Sequence, residues 1–577
     1  MPKTLPRNGE LADQLDLLAD LSEIIEEESF KVIAYRRAAG RIREAAVPIA
    51  ELALDGKAKE LPGIGKTIEA KVVEVVEDGE MHALTKRRGL VPAGVVDFLR
   101  LPGVGPKTAA RIWTQLGITS LDGLKTAAKA GRLRDLSGMG ARSEEKILLA
   151  LEAGVGDKPE ERRLLATALP AVRRVVAELE AHPAAIAVSE AGSVRRRRET
   201  VRDLDFIATS SDAPALIDAF CAGDWVSEVL ARGETKATVV SHDELRLDLR
   251  VVPEECYGNV LQHFTGSKDH NIKLREEAQR RGLSISEYGV TEADSGEVVA
   301  HASEDELYAF LGYRTPAPEL REGTAEIAAA RNGELPALVE LADLKGELHC
   351  HSTWSTDARG TIEEMALTAK GRGYAFLCVT DHSHYLRGGR LEAQWKEIEG
   401  VNGRLTRFRV LRGIEVNIRA DGSLDVDDDT LAQLDWVVAS LHTSFDKSPT
   451  ERIVGVMDNP HVDCIGHLTG RRLLKRDGAP VDVERVVERA VETGTALEIN
   501  SQPDRLDMRD THARLAGEAG VKIPITTDAH SVGALSYAEL GVAQARRAWL
   551  TKEQILNTRP WREIARTRGS GGGQDKS

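Results

Sequence analysis

The sequence predicts a multidomain protein of mixed class: an all-α first quarter, an α+β middle and a barrel-like α/β unit toward the C-terminus. Three observations predict it. Helical spacing of apolar residues runs to about residue 155 around a repeated Leu-Pro-Gly-x-Gly motif, helical segments alternate with strand-like runs between about 165 and 255, and a strand-then-helix rhythm fills 341–568. The length agrees, since 577 residues at about 100–200 per domain leave room for three or more domains. Hydrophobic residues at 42% and charged residues at 29% belong to a soluble globular chain and exclude a largely disordered one. No apolar run approaches the roughly 18 residues of a spanning helix, and the N-terminal stretch MPKTLPRNGELADQ lacks the apolar core of a signal peptide. No membrane partner and a cytoplasmic location are expected. Cys221, Cys256, Cys350, Cys378 and Cys464 include no Cys-x-x-Cys pair, so neither a disulfide framework nor a zinc ribbon is indicated and a reducing compartment fits.

In the first quarter, Leu11, Leu15, Leu18 and Ile25 trace one face of an amphipathic helix. Leu61-Pro62-Gly63-Ile64-Gly65 recurs as Leu101-Pro102-Gly103-Val104-Gly105 and more loosely as Leu136-Ser137-Gly138-Met139-Gly140. A Gly-x-Gly turn between two helices lets backbone N–H groups at the second helix's N-terminus hold a phosphate without reading a base. Gly63, Gly65, Gly103 and Gly105 are thus candidate contacts to a nucleic-acid backbone in helix-hairpin-helix fashion. Glycines that merely tighten helix turns would explain Gly, but not the repeated Leu-Pro.

In the middle, Gly192-Ser193-Val194-Arg195-Arg196 precedes Asp203-Leu204-Asp205, and Arg246-Leu247-Asp248 follows about forty residues on. Strand parity points Asp203 and Asp205 one way and Leu204 and Phe206 into the core, and it sets Arg246 and Asp248 opposite Leu245, Leu247 and Leu249. Three carboxylates on adjacent strands can hold two Mg²⁺ ions, one activating an attacking hydroxyl and the other bridging a triphosphate. Ser193 and Arg196 would meet the phosphates. An Asp-x-Asp alone is more often surface alternation; the preceding Gly-Ser and arginine cluster make it specific. The net charge of −15 argues mildly against a polyanionic partner, yet the basic run Arg195–Arg198 is locally dense.

Nine of the fifteen histidines fall between His349 and His530. His349, His351, Asp357, His382, Glu415, His442, His467, Asp528 and His530 are the candidate ligands, several of them at or just after short apolar runs such as Phe376–Thr380, Leu434–Leu441, Ala496–Asn500 and Ile523–Thr527. That is the rim where α/β barrels collect active-site groups. Imidazole with carboxylate suits Zn²⁺ or Mn²⁺, and nine ligands suffice for two or three ions. Any one of these histidines is more often solvated surface; their joint placement at strand ends argues otherwise. His461, His384 and His512 lie off the pattern, with His384 read as a group behind the ligands.

On these residues the chain resembles the bacterial family X DNA polymerases that carry a C-terminal polymerase-and-histidinol-phosphatase (PHP) domain. The marks are Gly-Ser-x-Arg-Arg with Asp-x-Asp, Phe264-Thr265-Gly266-Ser267 and the histidine motifs. The resemblance implies a helical helix-hairpin-helix N-terminal region, an α+β nucleotidyltransferase palm and thumb, and a distorted (β/α) PHP barrel. The boundaries are a lyase-like domain over 1–90, fingers-like hairpins over 91–155, palm 156–255, thumb 256–320, a linker 321–340, PHP domain 341–568 and a flexible tail 569–577.

By the same resemblance Asp203, Asp205 and Asp248 hold Mg²⁺, Gly192, Ser193 and Arg196 bind the incoming triphosphate, Phe264, Gly266 and Asn271 contact its sugar and base, and Arg275 touches the template side. His263 stands where the family has a tyrosine. Ala34-Tyr35-Arg36-Arg37-Ala38-Ala39 and the first Leu-Pro-Gly repeat followed by Lys71 resemble the family's lyase-type domain. There a lysine matching Lys71 forms a Schiff base with deoxyribose phosphate, aided by residues matching Lys31 and Tyr35; the alternative is phosphate binding by that helix face. The nine C-terminal ligands would form a trinuclear site for a 3′→5′ exonuclease or a 3′-end or abasic-site phosphodiesterase. One departure is Ser355-Thr356-Asp357-Ala358, which moves the aspartate one residue along from the family's Ser-Asp-Gly.

The implied function is template-directed gap-filling DNA synthesis in base excision repair, with a separate nuclease centre. The partners would be gapped or primed duplex DNA and deoxynucleoside triphosphates, and the protein would be a monomer. The competing readings are a fused histidinol-phosphatase-type phosphoesterase, a template-independent nucleotidyltransferase and a non-catalytic DNA-binding scaffold. The hairpin repeats argue against the first, the hairpins with Phe264–Arg275 against the second, and the intact carboxylate and histidine sets against the third.

Overall fold

The structure is a computed structural model that describes residues 5–6, 8–44, 49–61, 63–101, 103–136, 139–152, 162–242 and 245–567. The prolines of the two strict repeats, Ser137-Gly138 of the loose one and the 569–577 tail lie outside these residues. The chain divides near residue 161 into two compact units.

The first unit is helical. Leu11, Leu15 and Leu18 lie on one face of Asn8–Ile24 and are fully buried, as their spacing requires. That helix packs along Ser29–Glu44, whose Ala38, Ala39 and Ile42 enter the same core. The repeat is one structural unit built three times. A single 3₁₀ turn (Ala58–Glu60, Phe98–Arg100, Leu133–Asp135) precedes the Leu, and a helix (Lys66–Asp78, Pro106–Leu116, Ala141–Glu152) follows the last glycine. In each copy the residue between the glycines donates its N–H to the leading leucine's carbonyl: Ile64 to Leu61, Val104 to Leu101, and Met139 to Leu136. Gly63 and Gly103 adopt φ of +90° and +78°, the left-handed region that excludes most side chains.

In the second unit the strands Ala185–Glu190, Asp203–Ser210, Arg246–Val251, Lys236–Ser241 and Val226–Arg232 form a five-stranded sheet in that spatial order. The central pair is parallel, with Asp203 opposite Arg246 and Asp205 opposite Asp248. Leu204, Phe206, Leu247 and Leu249 are fully buried under the helices Leu165–Glu180 and Ala213–Cys221, so the three aspartates lie on the other face, as parity predicts. Tyr257–Thr265 and Lys268–Gln279 lead to a three-stranded antiparallel sheet and the helix Glu304–Phe310, whose core includes Leu274, Val290, Leu307 and Tyr308. Ile327 and Ala330 of the helix Glu326–Asn332 join that core.

The C-terminal part is a curled parallel sheet. Six strands, Gly346–Cys350, Phe376–Val379, Arg409–Asn417, Trp436–Ser440, Cys464–Ile465 and Ala496–Leu497, neighbour one another in chain order. Ile499–Asn500 pairs in parallel with Ile525–Thr526, and a bridge from Ala529 back to Cys350 brings the last strand beside the first. Helices cover the sheet, so its strands are buried on both faces and read as continuous apolar runs. The strand Gly346–Cys350 escapes such a reading because its buried residues include Glu347 and His349. Leu506 and Leu540 of this part pack into the apolar cluster under the five-stranded sheet.

Candidate catalytic sites

The first site lies on the open face of the five-stranded sheet. Asp205 is pushed up to about 6, first by burial and then by the charges of Asp203 and Asp248 beside it. Arg246 Nε donates to Asp248 at 2.9 Å, Arg202 lies 3.1 Å from Asp203, and the Thr238 hydroxyl donates to Asp248. Three carboxylates gathered on one face of adjacent strands form a donor set suited to hard divalent cations. Gly192 is indispensable here: its φ is +61°, and a Cβ on it would stand 2.6 Å from the Asp205 carboxylate.

Gly192 opens the single helical turn Gly192–Arg195, with Ser193 half-buried beside it. Arg196 donates from Nε to Glu322 at 3.2 Å and from NH1 to the Thr265 carbonyl. Phe264 stacks under the Arg250 guanidinium at 4.4 Å and meets the His263 ring edge-on at 5.1 Å. The Asn271 amide is fixed between Gln262 (2.7 Å) and the His263 carbonyl (2.8 Å), and Arg275 donates to His263 Nδ1 at 3.0 Å. A Cβ on Gly266 would lie 3.2 Å from Arg196, so this turn and the arginine are in close contact. Arg250 is the member sequence reasoning passed over. For Arg250 the signal was available, since it shares the face of Asp248 by strand parity.

The second site lies at the ends of the parallel strands, where all nine candidate ligands converge. Fully buried Glu415 is the hub: His382 Nδ1 lies 2.7 Å from it, His467 Nε2 3.1 Å, His442 Nε2 3.3 Å, His349 Nε2 3.6 Å and His351 Nε2 3.7 Å. Asp528 stands 3.1 Å from His351 and 3.6 Å from His530. Asp357 stands 3.6 Å from His382 and 3.7 Å from His530, so its one-residue displacement still brings it to the cluster.

Three ligand triads have mutually close donor atoms: His351-His382-His530, His349-His351-Glu415 and His382-Glu415-His442. Within them His349 Nε2, His382 Nδ1 and Glu415 Oε2 are buried with no well-formed hydrogen bond among the described residues, even where the distance is short. Imidazole nitrogens and carboxylate oxygens crowded around a shared space without well-formed hydrogen bonds fit metal ions. Burial pushes Glu415 and Asp528 up, but the surrounding histidines outweigh it and hold both well below the ordinary carboxylate range.

Around these ligands lies a set that sequence reasoning missed. Fully buried Glu498 accepts from His349 Nδ1 at 2.9 Å and from the His467 N–H at 2.7 Å. Asn417 Oδ1 lies 2.7 Å from His442 Nδ1. Asp381 accepts from the Ser352 N–H and the Ser355 hydroxyl, both at 2.7 Å. Such partners fix ring orientation and tautomer. His384 stacks on His382 with centroids 5.4 Å apart, beside the ligands as expected. Among the described residues His461 and His512 belong to none of the three triads.

In the N-terminal unit, Lys71 Nζ lies 5.9 Å from the Tyr35 ring centroid, and burial pulls its ammonium below the ordinary lysine range, opposed by Glu74. Lys31 is instead exposed and paired with Glu28 at 2.9 Å. Gly65 and Gly105 are the N-caps of Lys66–Asp78 and Pro106–Leu116, and no side chain caps either helix, which leaves first-turn N–H groups for an anion.

Comparison with known proteins covers nearly the whole chain. Family models match as a helix-hairpin-helix domain (residues 6–81), a SAM-like helix-hairpin-helix tandem (95–153), a DNA polymerase beta thumb (260–322) and a PHP domain (347–502). A curated relative, the DNA polymerase/3′-5′ exonuclease PolX of Bacillus subtilis, is 38% identical over 561 residues, covering 95% of this chain and 97% of its own. A probable phosphatase of Thermoanaerobacter sp. is 33% identical over 232 residues, 37% of this chain and 89% of its own. Another, of Vibrio parahaemolyticus, is 29% identical over 229 residues.

Proposed function

The chain belongs to the bacterial family X DNA polymerases that carry a PHP domain, and from that membership we propose a template-directed DNA polymerase with a 3′→5′ exonuclease in its PHP domain, which together fill short gaps and trim 3′ ends in base excision repair. The observation that carries this reading is the presence of two separate centres of different donor chemistry in one chain. One has three aspartates beside a Gly-Ser-arginine turn; the other is a histidine-carboxylate cluster at the ends of a curled parallel sheet. The phosphatase relatives cover only 37% of the chain, so a fused phosphoesterase would leave the hairpins and the aspartates without a role.

Asp203, Asp205 and Asp248 would hold two Mg²⁺, and His349, His351, Asp357, His382, Glu415, His442, His467, Asp528 and His530 up to three Mn²⁺ or Zn²⁺. Divalent cations at such sites supply Lewis-acid chemistry, easing deprotonation of the attacking hydroxyl or water and neutralising charge on phosphoryl oxygens. The chain's own residues do the positioning. Ser193 and Arg196 orient the triphosphate, with the Arg196 guanidinium held in place through Nε by Glu322 and through NH1 by the Thr265 carbonyl.

Phe264, held flat by Arg250, supports the sugar and base, Asn271 is locked in one orientation by Gln262, and Arg275 with His263 faces the template side. The three hairpins hold duplex phosphates, which supports a primed or gapped duplex over template-independent transfer. Lys71, whose lowered proton affinity suits a nucleophilic amine, would form the Schiff base of a deoxyribose-phosphate lyase beside Tyr35. The protein acts as a monomer in the cytoplasm, and among the described residues no helix is long and apolar enough to cross a membrane.

The test follows a 5′-labelled primer on a duplex with a one-nucleotide gap, with Mg²⁺ or Mn²⁺, with and without deoxynucleotides. Extension with nucleotides and shortening without them is the expected result. A primer of unchanged length, with hydrolysis of a small phosphate monoester instead, would replace this reading with the fused phosphatase.

A further inference from the structure

Arg547 ends the helix Ala538–Arg547 of the C-terminal barrel, and its side chain is only 1% exposed. It does not face the histidine cluster. Its NH1 donates to Glu322 at 2.8 Å and to the main-chain carbonyl of Arg196 at 2.9 Å, and its NH2 donates to Asp510 at 2.6 Å. The same Glu322 oxygen accepts from Arg196 Nε at 3.2 Å, and its other oxygen lies 3.8 Å from Arg198. One PHP-domain arginine therefore grips the triphosphate-binding arginine twice, by its backbone and, through Glu322, by its guanidinium. The next residues of that loop are held from the same side, where Glu199 accepts from Arg471 and from Gln544 at 2.8 Å.

From this geometry we propose that Arg547 is a positioning residue for polymerase nucleotide binding, so that the PHP domain forms part of the nucleotide site of the palm. This rests on the reading of Arg196 as a triphosphate ligand. The charges support it. Arg196, Arg198 and Arg547 face Glu322 and Asp510, which leaves one positive charge of the cluster for an incoming anion. Without Arg547 that surplus disappears, and Glu322 keeps only Arg196 and the more distant Arg198. The Arg196 carbonyl also loses its donor, and the turn that aims the guanidinium loosens. A buried charge left without its partner is costly enough to move the backbone around it.

The experiment is a double-mutant cycle on the full chain with Arg196→Ala, Arg547→Met and both together, reading KM and kcat for a deoxynucleoside triphosphate on gapped primer. Primer shortening by the same preparations reports whether the PHP fold is intact. Arg547→Met is expected to raise the nucleotide KM about ten- to a hundredfold, the loss typical of hydrogen bonds to a charged group, with kcat and the DNA KM little changed. Arg547→Lys is expected to recover part of it, and the double variant is expected to match Arg196→Ala alone. If Arg547→Met fails to fold, Arg547→Lys takes its place in the cycle. An unchanged nucleotide KM, or effects that simply multiply in the double variant, would overturn the proposal. An unchanged KM in Arg196→Ala would instead overturn the assignment of Arg196 on which it rests.

Discussion

Glu498→Gln isolates the support of the histidine centre from the ligands themselves. The Glu498 carboxylate is fully buried and accepts only: Oε1 from His349 Nδ1 at 2.9 Å, Asn500 Nδ2 at 3.2 Å and the Thr526 hydroxyl, Oε2 from the His467 N–H at 2.7 Å. An amide has one accepting edge. With its oxygen toward His349, its NH₂ faces the His467 N–H; with its oxygen toward His467, three donors lose their acceptor. Leaving a buried donor unsatisfied costs about 1–3 kcal/mol, roughly five- to 150-fold in binding, and lost partners of metal ligands typically cost about 10–100-fold in metal affinity. The assay is the rate of primer shortening against Mn²⁺ concentration, with primer extension by the same preparation as control. The half-saturating Mn²⁺ is expected to rise about 10–100-fold, with the rate restored at excess metal and extension unaltered. An unchanged Mn²⁺ requirement would refute the idea that Glu498 sets the orientation of His349 and His467.

Gly192→Ala adds a Cβ 2.6 Å from the Asp205 carboxylate at a φ of +61°; extension is expected to fall at least a hundredfold in primer assays while shortening continues. Lowered Mg²⁺ affinity is expected below the Asp205 pKa of about 6, falling about tenfold per pH unit as one proton competes with the metal, and titration calorimetry at pH 5 and 7 checks it. The sign follows from the raised pKa: between the ordinary carboxyl value and about 6, the metal-free folded protein holds a proton the unfolded chain does not. Asp205→Asn therefore flattens the fall in stability as pH rises through that window. Lys71→Ala is expected to abolish borohydride trapping on an abasic-site duplex, and Arg87→Ala to leave trapping intact but shift its pH profile upward, because Arg87 adds to the burial that lowers Lys71.

Much of both sites was legible because the signal is local. Period-two alternation alone places Asp203, Asp205 and Asp248 together on the face opposite Leu204 and Leu247, and the register pairs Asp205 directly with Asp248. The glycine repeat was legible for the same reason, down to the loose third copy, whose Met139 and Gly140 follow the backbone bonding of the strict two. The histidines of the cluster stood out as polar residues at the ends of apolar runs. Their supports did not. Glu498 meets His349 across 149 residues, and nothing in its own surroundings distinguishes a buried acceptor from a surface glutamate. Asn417 and Asp381 share that anonymity, because the sequence does not carry the closure of the sheet that brings strand ends together. Arg547 is the extreme case: an arginine in the last turn of a helix reads as a solvated cation favourable to the dipole. Only the packing of the helix Ala538–Arg547 beside the Arg196 turn, within the second unit, makes it a buried link to Arg196.

The most direct test of two independent centres in one chain crosses a variant in each with both activities on the same labelled primer. Asp248→Ala is expected to lose extension and keep shortening, and Glu415→Ala to lose shortening and keep extension, each in a protein that melts like the wild type. Loss of both activities together in either folded variant would contradict the account.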